Sequence, residues 1–187
     1  LNEINSFEEW EQLYKKLVFW ELELESSNDA TMSEILDAQK IEANQQFGRF
    51  IEKYYPDWFE DHQAPVMSHT LFKNKIAQEL NNIQPTLLIV IDNLRYDQWK
   101  SLEPTVNNYY KIKEDSLYYS ILPTATQYSR NALFSGLMPT EMEKLYPQYW
   151  KNDTDEGGKN LYEAEFLEAQ LKRLGLSHLK HEYIKIT

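Results

Sequence analysis

Two short segments hold the residue types from which a hydrolytic site is built. The first, Thr86-Leu-Leu-Ile-Val-Ile-Asp92, is an apolar run that ends in a carboxylate. The second, Pro123-Thr-Ala-Thr126-Gln-Tyr-Ser-Arg-Asn131-Ala-Leu-Phe-Ser-Gly136, brings a hydroxyl to the start of a helix. In open α/β sheets, ligands gather at the carboxyl ends of strands. Asp92 is expected there, either as a hard oxygen ligand for a divalent cation or as a helix cap or loop ion-pair partner. Thr126 also has two readings. As an N-cap, its Oγ accepts an N–H of the first helical turn. As a nucleophile, it uses the partial positive charge and N–H groups of the helix N-terminus, and metal coordination would lower its pKa further. No histidine lies close in sequence to serve as its base, so metal activation is the more natural route than a Ser-His-Asp arrangement. The pair has the form of the first half of a two-metal hydrolase site.

The elements that must position this pair follow from periodicity. Residues 1–84 read as a helical bundle or linker domain. Trp10, Leu13, Tyr14, Leu17, Trp20 and Leu24 fall on one helical face. Ser26 to Asp29 breaks that helix, and Thr31-x-x-Glu34 has the form of a capping box for the next. Ile35, Ala43, Phe47, Phe50, Ile51 and Tyr54 make a second apolar stripe, and Leu71, Ile76, Leu80 and Ile83 mark a third helix. These aromatic stripes read as core. The acidic cluster Glu21, Glu23 and Glu25 reads as a solvated face.

Composition changes at Pro85, and residues 85–187 read as a second domain. Residues 86–91 predict a parallel strand covered on both faces, Ser116 to Leu122 a second strand and Glu182 to Ile186 a third. A helix is expected from Gln127 to Ser135 with Gly136 just past its end, and another from Leu161 to Leu174 closed by Gly175. The expected fold class is α/β, with an N-terminal helical bundle followed by a mostly parallel sheet.

Bulk properties narrow the function. The net charge of −11 disfavours broad nucleic-acid binding, although metal ions at a local site bring their own positive charge. The absence of cysteine removes disulfides, thiolate ligands and cysteine nucleophiles, and fits a reducing, cytoplasmic setting. No apolar run approaches the ~20 residues of a membrane helix, so no membrane insertion is expected. The chain opens at Leu1 rather than Met, as a piece of a longer protein does.

With these residues in place, Asp92-Asn-Leu-Arg-Tyr-Asp97 resembles the D-x-x-R-x-D that follows the first strand in the PglZ branch of the alkaline-phosphatase superfamily. Pro123-Thr-Ala-Thr126 through Gly136-Leu-Met-Pro139 resembles that superfamily's nucleophile segment. The order of the parts is similar to PorX-type response regulators of the type IX secretion system, in which a receiver domain precedes a helical bundle and a PglZ domain. The resemblance implies the first part of an alkaline-phosphatase-like sheet with helices on both faces. It implies that Asp92 is a zinc ligand and that Thr126 is both the nucleophile and a zinc-bound group, in a centre of two zinc ions when the domain is complete. Asn93, Arg95, Asp97 and Asn131 match motif positions as substrate-binding or supporting residues. The bland readings beside these are a capping carboxylate for Asp97, a salt bridge for Arg95 and packing for Asn131.

The implied activity is a phosphodiesterase or phosphatase acting on a phosphoester, such as a nucleotide or oligonucleotide. An upstream histidine kinase would act through the receiver domain, which is absent here. The superfamily's remaining Asp and His ligands lie well downstream of the nucleophile. Residues 1–187 alone are therefore expected to be inactive. The four histidines, His62, His69, His178 and His181, do not supply them, and His178 and His181 read as surface or packing residues. The alternative is a non-catalytic regulatory module that binds a secretion or sigma-factor partner, with Trp10, Trp20 and Trp58 offering a homodimer interface. A sulfatase-like hydrolase fits less well, because that chemistry needs a Cys or Ser where Thr126 stands.

Overall fold

The computed structural model describes residues 4–27, 29–60, 64–80 and 83–186. Among these, seven α-helices follow one another: α1 (Phe7–Ser27), α2 (Ala30–Tyr54), α3 (Ser68–Leu71), α4 (Tyr96–Val106), α5 (Thr126–Ser135), α6 (Pro139–Leu145) and α7 (Glu163–Arg173). Short 3₁₀ turns at Asp57–Phe59 and Ala77–Glu79 and a π turn at Phe72–Ile76 complete the helical content. No described helix is long and apolar enough to cross a membrane. The chain divides into two compact units, one of Leu1–Pro65 and Ile91–Leu117, the other of Val66–Val90 and Tyr118–Thr187.

In the first unit, α1 begins at a reciprocal cap. Ser6 Oγ accepts from Glu9 N at 3.2 Å, and Glu9 Oε2 accepts from Ser6 N at 3.3 Å. The cap of α2 is Asp29, which accepts from Met32 N at 3.0 Å, so the expected Thr31–Glu34 box is replaced by a carboxylate two residues earlier. The two helices pack antiparallel. Trp10 meets Phe47 edge-on at 5.2 Å and Phe50 at 5.9 Å near one end, and Lys40 pairs with Glu21 near the other. Phe50 continues to Trp58 at 6.0 Å. Each such aromatic contact adds about 1 kcal/mol to the burial it accompanies. Trp10, Val18, Leu36, Ala43, Phe50 and Trp58 form the core. Of the expected stripes, Tyr14, Trp20 and Ile35 are exposed, Trp20 by 52%. A single neighbouring helix covers only part of an apolar arc this wide.

Helix α4 joins this unit through Asp115, whose Oδ2 accepts from Lys100 Nζ at 2.8 Å and Tyr96 Oη at 3.2 Å. Lys15 of α1 donates to the Asp115 carbonyl at 3.1 Å. Burial pushes the Asp115 carboxyl up, but the Lys100 hydrogen bond and the charges of Lys100 and Lys15 outweigh it, and the net direction is down.

In the second unit, α5 packs between α3 and α7. Its C-terminal carbonyls are capped from α7: Gln170 Nε2 donates to Leu133 O at 3.0 Å and to Phe134 O at 2.7 Å, and Arg173 Nη2 donates to Ser135 O. Gly136 ends the helix in the left-handed region at φ +64°, with its N–H on Ala132 O at 2.8 Å. Pro139 opens α6 at its first turn, and Glu141 Oε2 accepts from Met138 N at 2.8 Å. Ile121, Ala132, Phe134, Met142, Phe166 and Leu171 fill the core.

The expected α/β fold is overturned: the described residues form no sheet, and the fold is helical. A single parallel bridge joins Met67 and Tyr119, with Ser68 N on Tyr119 O at 3.0 Å and Tyr119 N on Val66 O at 2.8 Å. Residues 86–91, expected as a strand buried on both faces, run without secondary structure and with Leu87 82% and Ile89 69% exposed. Ser116 to Leu122 (apart from the Tyr119 bridge) and Glu182 to Ile186 likewise form no strands. A parallel strand exists only between neighbours that take its N–H and C=O groups and cover its side chains. No described segment lies alongside 86–91 in that way, so apolar composition alone does not make it a strand. The expected third helix, around Leu71 to Ile83, is one α turn followed by π and 3₁₀ turns.

Two outcomes are expected. Gly136→Ala places a Cβ 2.3 Å from Gln170 Oε1 at a positive φ. It should lower stability by about 2 kcal/mol, read as a fall in the denaturant midpoint. Asp115 has a depressed folded pKa, so its stabilisation is present above the ordinary value of 3.8 and is lost as pH falls through the folded value. The melting-temperature gap between wild type and Asp115→Asn should be full at pH 6 and close below about pH 4.

Candidate functional site

Thr126 belongs to the second unit and Asp92 to the first. After the cis Leu122–Pro123 bond, Ala125 takes the N-cap position of α5, and its methyl side chain offers no hydrogen-bond acceptor. Thr126 is thus the first helical residue, half-buried, rather than the cap that its bland reading requires. A helix leaves its first N–H groups without an intrahelical acceptor, and these carry the positive end of its dipole.

The polar surroundings of that first turn come from farther along the chain. Asn160 Nδ2 donates to Thr126 O at 3.3 Å and to Asn131 Oδ1 at 3.0 Å. Asn131 is buried, and its own Nδ2 donates to Lys159 O at 3.0 Å. It is a support that ties the 159–160 backbone to α5. Asp153 accepts from Tyr128 Oη at 2.7 Å and from Gln127 Nε2. The hydrogen bond to Asp153 raises the Tyr128 phenol above its ordinary value. One turn beyond Thr126, Arg130 Nε pairs with the buried Glu163, which also accepts from Tyr183 Oη at 2.6 Å. Burial, then Glu163, pushes the Tyr183 phenol up to about 12.

In the first unit, Asp92 is exposed in a turn, and Asn93 follows it in the left-handed region at φ 58°. Asparagine is among the residues that tolerate that conformation, which gives Asn93 a backbone role. Arg95 grips Asp97 through both arms of its guanidinium, at 3.0 Å and 2.7 Å, and Arg95 N donates to Gln98 Oε1 at 3.0 Å. The Arg95 hydrogen bond holds the Asp97 carboxyl below its ordinary value. Asp97 sits in the first turn of α4, a favourable place for a carboxylate. An open groove of about 360 Å³ lies beside it, lined by Arg95, Tyr96, Trp99, Asp115 and neighbouring residues.

The donor set does not fit a complete metal centre: among the described residues, no three His, Asp or Glu side chains come together to hold an ion. His178 and His181 are exposed, and His62 lies outside the described residues. His69 is half-buried, and its imidazole is pushed down by burial, with Glu141 opposing. Sequence reasoning missed Asp153, Asn160 and Glu163. The only local signal was the polar 151–160 segment itself, because what these residues contact is fixed by folding rather than by spacing.

Comparison with curated proteins gives no match. Residues 1–59 match the family described as the PorX response regulator linker domain. Residues 71–185 match the BREX system PglZ alkaline phosphatase-like domain, a span that takes in both chemistry-bearing segments. The chain therefore belongs to the PglZ alkaline phosphatase-like family, and its PglZ part follows a PorX response regulator linker domain.

Proposed function

We propose that the protein to which this chain belongs is a two-component response regulator of type IX secretion, acting in the cytoplasm, whose PglZ domain hydrolyses phosphoesters with Thr126 as nucleophile. The observation that carries this reading is the position of Thr126 as first residue of α5 behind an alanine N-cap. A hydroxyl there stands at the positive end of the helix dipole. In this reading Thr126 Oγ bonds to phosphorus as the ester oxygen leaves on the opposite side. Water then cleaves the phosphothreonine and restores the hydroxyl.

Asp92 and Thr126 are proposed as this chain's contributions to a two-zinc centre. The described side chains do not by themselves assemble that centre. Asn93, Arg95, Asp97 and Asn131 are proposed as substrate-binding or supporting residues, the first three around the Asp92 turn and Asn131 within α5. Nucleotides or oligonucleotides are the proposed substrate class, and a histidine kinase acting through a receiver domain is the proposed input.

The test uses the whole response regulator with zinc and bis(p-nitrophenyl) phosphate. Thr126→Ala should lower kcat on the order of 10³-fold or more. Retained turnover in that variant would overturn the assignment. Residues 1–187 by themselves should show no turnover. A second reading, a non-catalytic module for a secretion or sigma-factor partner, is favoured by Phe19 and Trp20. These two exposed rings lie edge-on at 5.3 Å on α1. Stoichiometric zinc without hydrolysis of any phosphoester in a panel would support it.

A further inference from the structure

We infer that Asn160 is a positioning residue for Thr126, holding the first turn of α5 from the loop that precedes α7; this rests on the reading of Thr126 as nucleophile. The side-chain amide of Asn160 spends both hydrogens on α5. One goes to Thr126 O at 3.3 Å and the other to Asn131 Oδ1 at 3.0 Å. Asn131, fully buried, returns the contact by donating to Lys159 O at 3.0 Å, so the two asparagines latch loop and helix from both sides. The Asn160 backbone is fixed in turn, because Lys185 Nζ donates to its carbonyl at 3.0 Å while lying 3.6 Å from Glu163 Oε2.

Helix ends fray, and the first turn is where a hydroxyl nucleophile most needs a fixed place. Thr126 O is an unusual target for a side-chain donor, since the carbonyl at the first helical position already has an acceptor role in the helix ladder. The added bond restrains the residue that bears the nucleophile without touching its hydroxyl. A misplacement of about 1 Å at a reacting atom costs on the order of 10²-fold in rate. A latch on the residue's own backbone is therefore worth more to chemistry than to stability.

The experiment compares wild type, Asn160→Asp, Asn160→Ala and Thr126→Ala in the whole response regulator with zinc. Asn160→Ala removes both donors without adding charge, and Asn160→Asp keeps the shape of the side chain but sets a carboxylate against the Thr126 and Asn131 oxygens. Both should lower kcat about 10-fold or more, and Asn160→Ala should do so with KM within about twofold and a melting temperature within a few degrees of wild type. Hydrogen exchange should rise in residues 124–131 while α7 stays protected, a readout that does not depend on turnover. Wild-type kcat and exchange in Asn160→Asp would overturn the inference, and so would a loss of activity that only tracks a loss of folded protein. An inactive Thr126→Ala beside a fully active Asn160→Asp sinks this inference alone. An active Thr126→Ala sinks the nucleophile reading, and with it the functional meaning of the latch.

Discussion

Glu163 is a carboxylate with only 3% of its side chain exposed, and the second unit is arranged so that it is paired. Removing one partner from a buried ion pair costs several kcal/mol, because the remaining charge is left without water or counter-ion. Arg130 reaches it from α5, and Tyr183 and Lys185 reach it from the segment after α7. Since Arg130 lies one turn from Thr126, that pairing fixes the rotation of α5. Since Glu163 opens α7, it also fixes where α7 starts. The far end of α7 then meets the far end of α5, where Gln170 and Arg173 take the carbonyls of Leu133, Phe134 and Ser135. Held to α7 at its middle and at its C-terminal end, α5 makes a firm mount for its own first turn.

The absence of a sheet among the described residues has the opposite character. Helix α5 could be read from local chemistry: a turn with Pro123, an apolar periodicity and Gly136 at the far end. Helix α7 was legible through Gly175 in the same way, and both stand where local signals put them. The run Thr86 to Ile91 is as apolar as a buried strand, yet its side chains are exposed. Strand composition states only what a segment would do beside partners, and the partners are non-local. Capping failed more narrowly. Asp29 outcompetes Thr31 because a carboxylate at the N-cap satisfies an N–H and favours the dipole together. The reciprocal box forms at Ser6 and Glu9, at the start of α1. Helix α6 carries its signals locally, with Pro139 at its start and Glu141 closing its cap.

The candidate site was legible to a similar depth. Thr126 and Asn131 sit on one helix, so their spacing describes their placement. Asp153, Asn160 and Glu163 come to that helix from residues far along the chain, and only folding shows that they share a neighbourhood. Asn93 illustrates the reverse. Its motif position states one reason to be asparagine, and a φ of 58°, which spacing does not show, adds a backbone reason beside it.

Charge decides what the arrangement still requires. A phosphoester is anionic and the chain carries a net charge of −11, so the long-range field opposes its approach. Several cations of the motif-bearing segments are engaged: Arg130 by Glu163, Arg95 by Asp97, and Lys100 by Asp115 and Glu103. Lys159 turns inward to the carbonyls of Asn152 and Asp155. Lys185 is spent on Asn160 and Glu163. In the proposed reading an incoming phosphoryl group meets the dipole at the N-terminus of α5, where Asp153 is held by Gln127 and Tyr128. A helix terminus contributes roughly half an elementary charge, too little to offset a phosphoester that carries one or two negative charges. In that reading the rest of the positive charge would come from bound cations, the metal use that an alkaline phosphatase-like family implies.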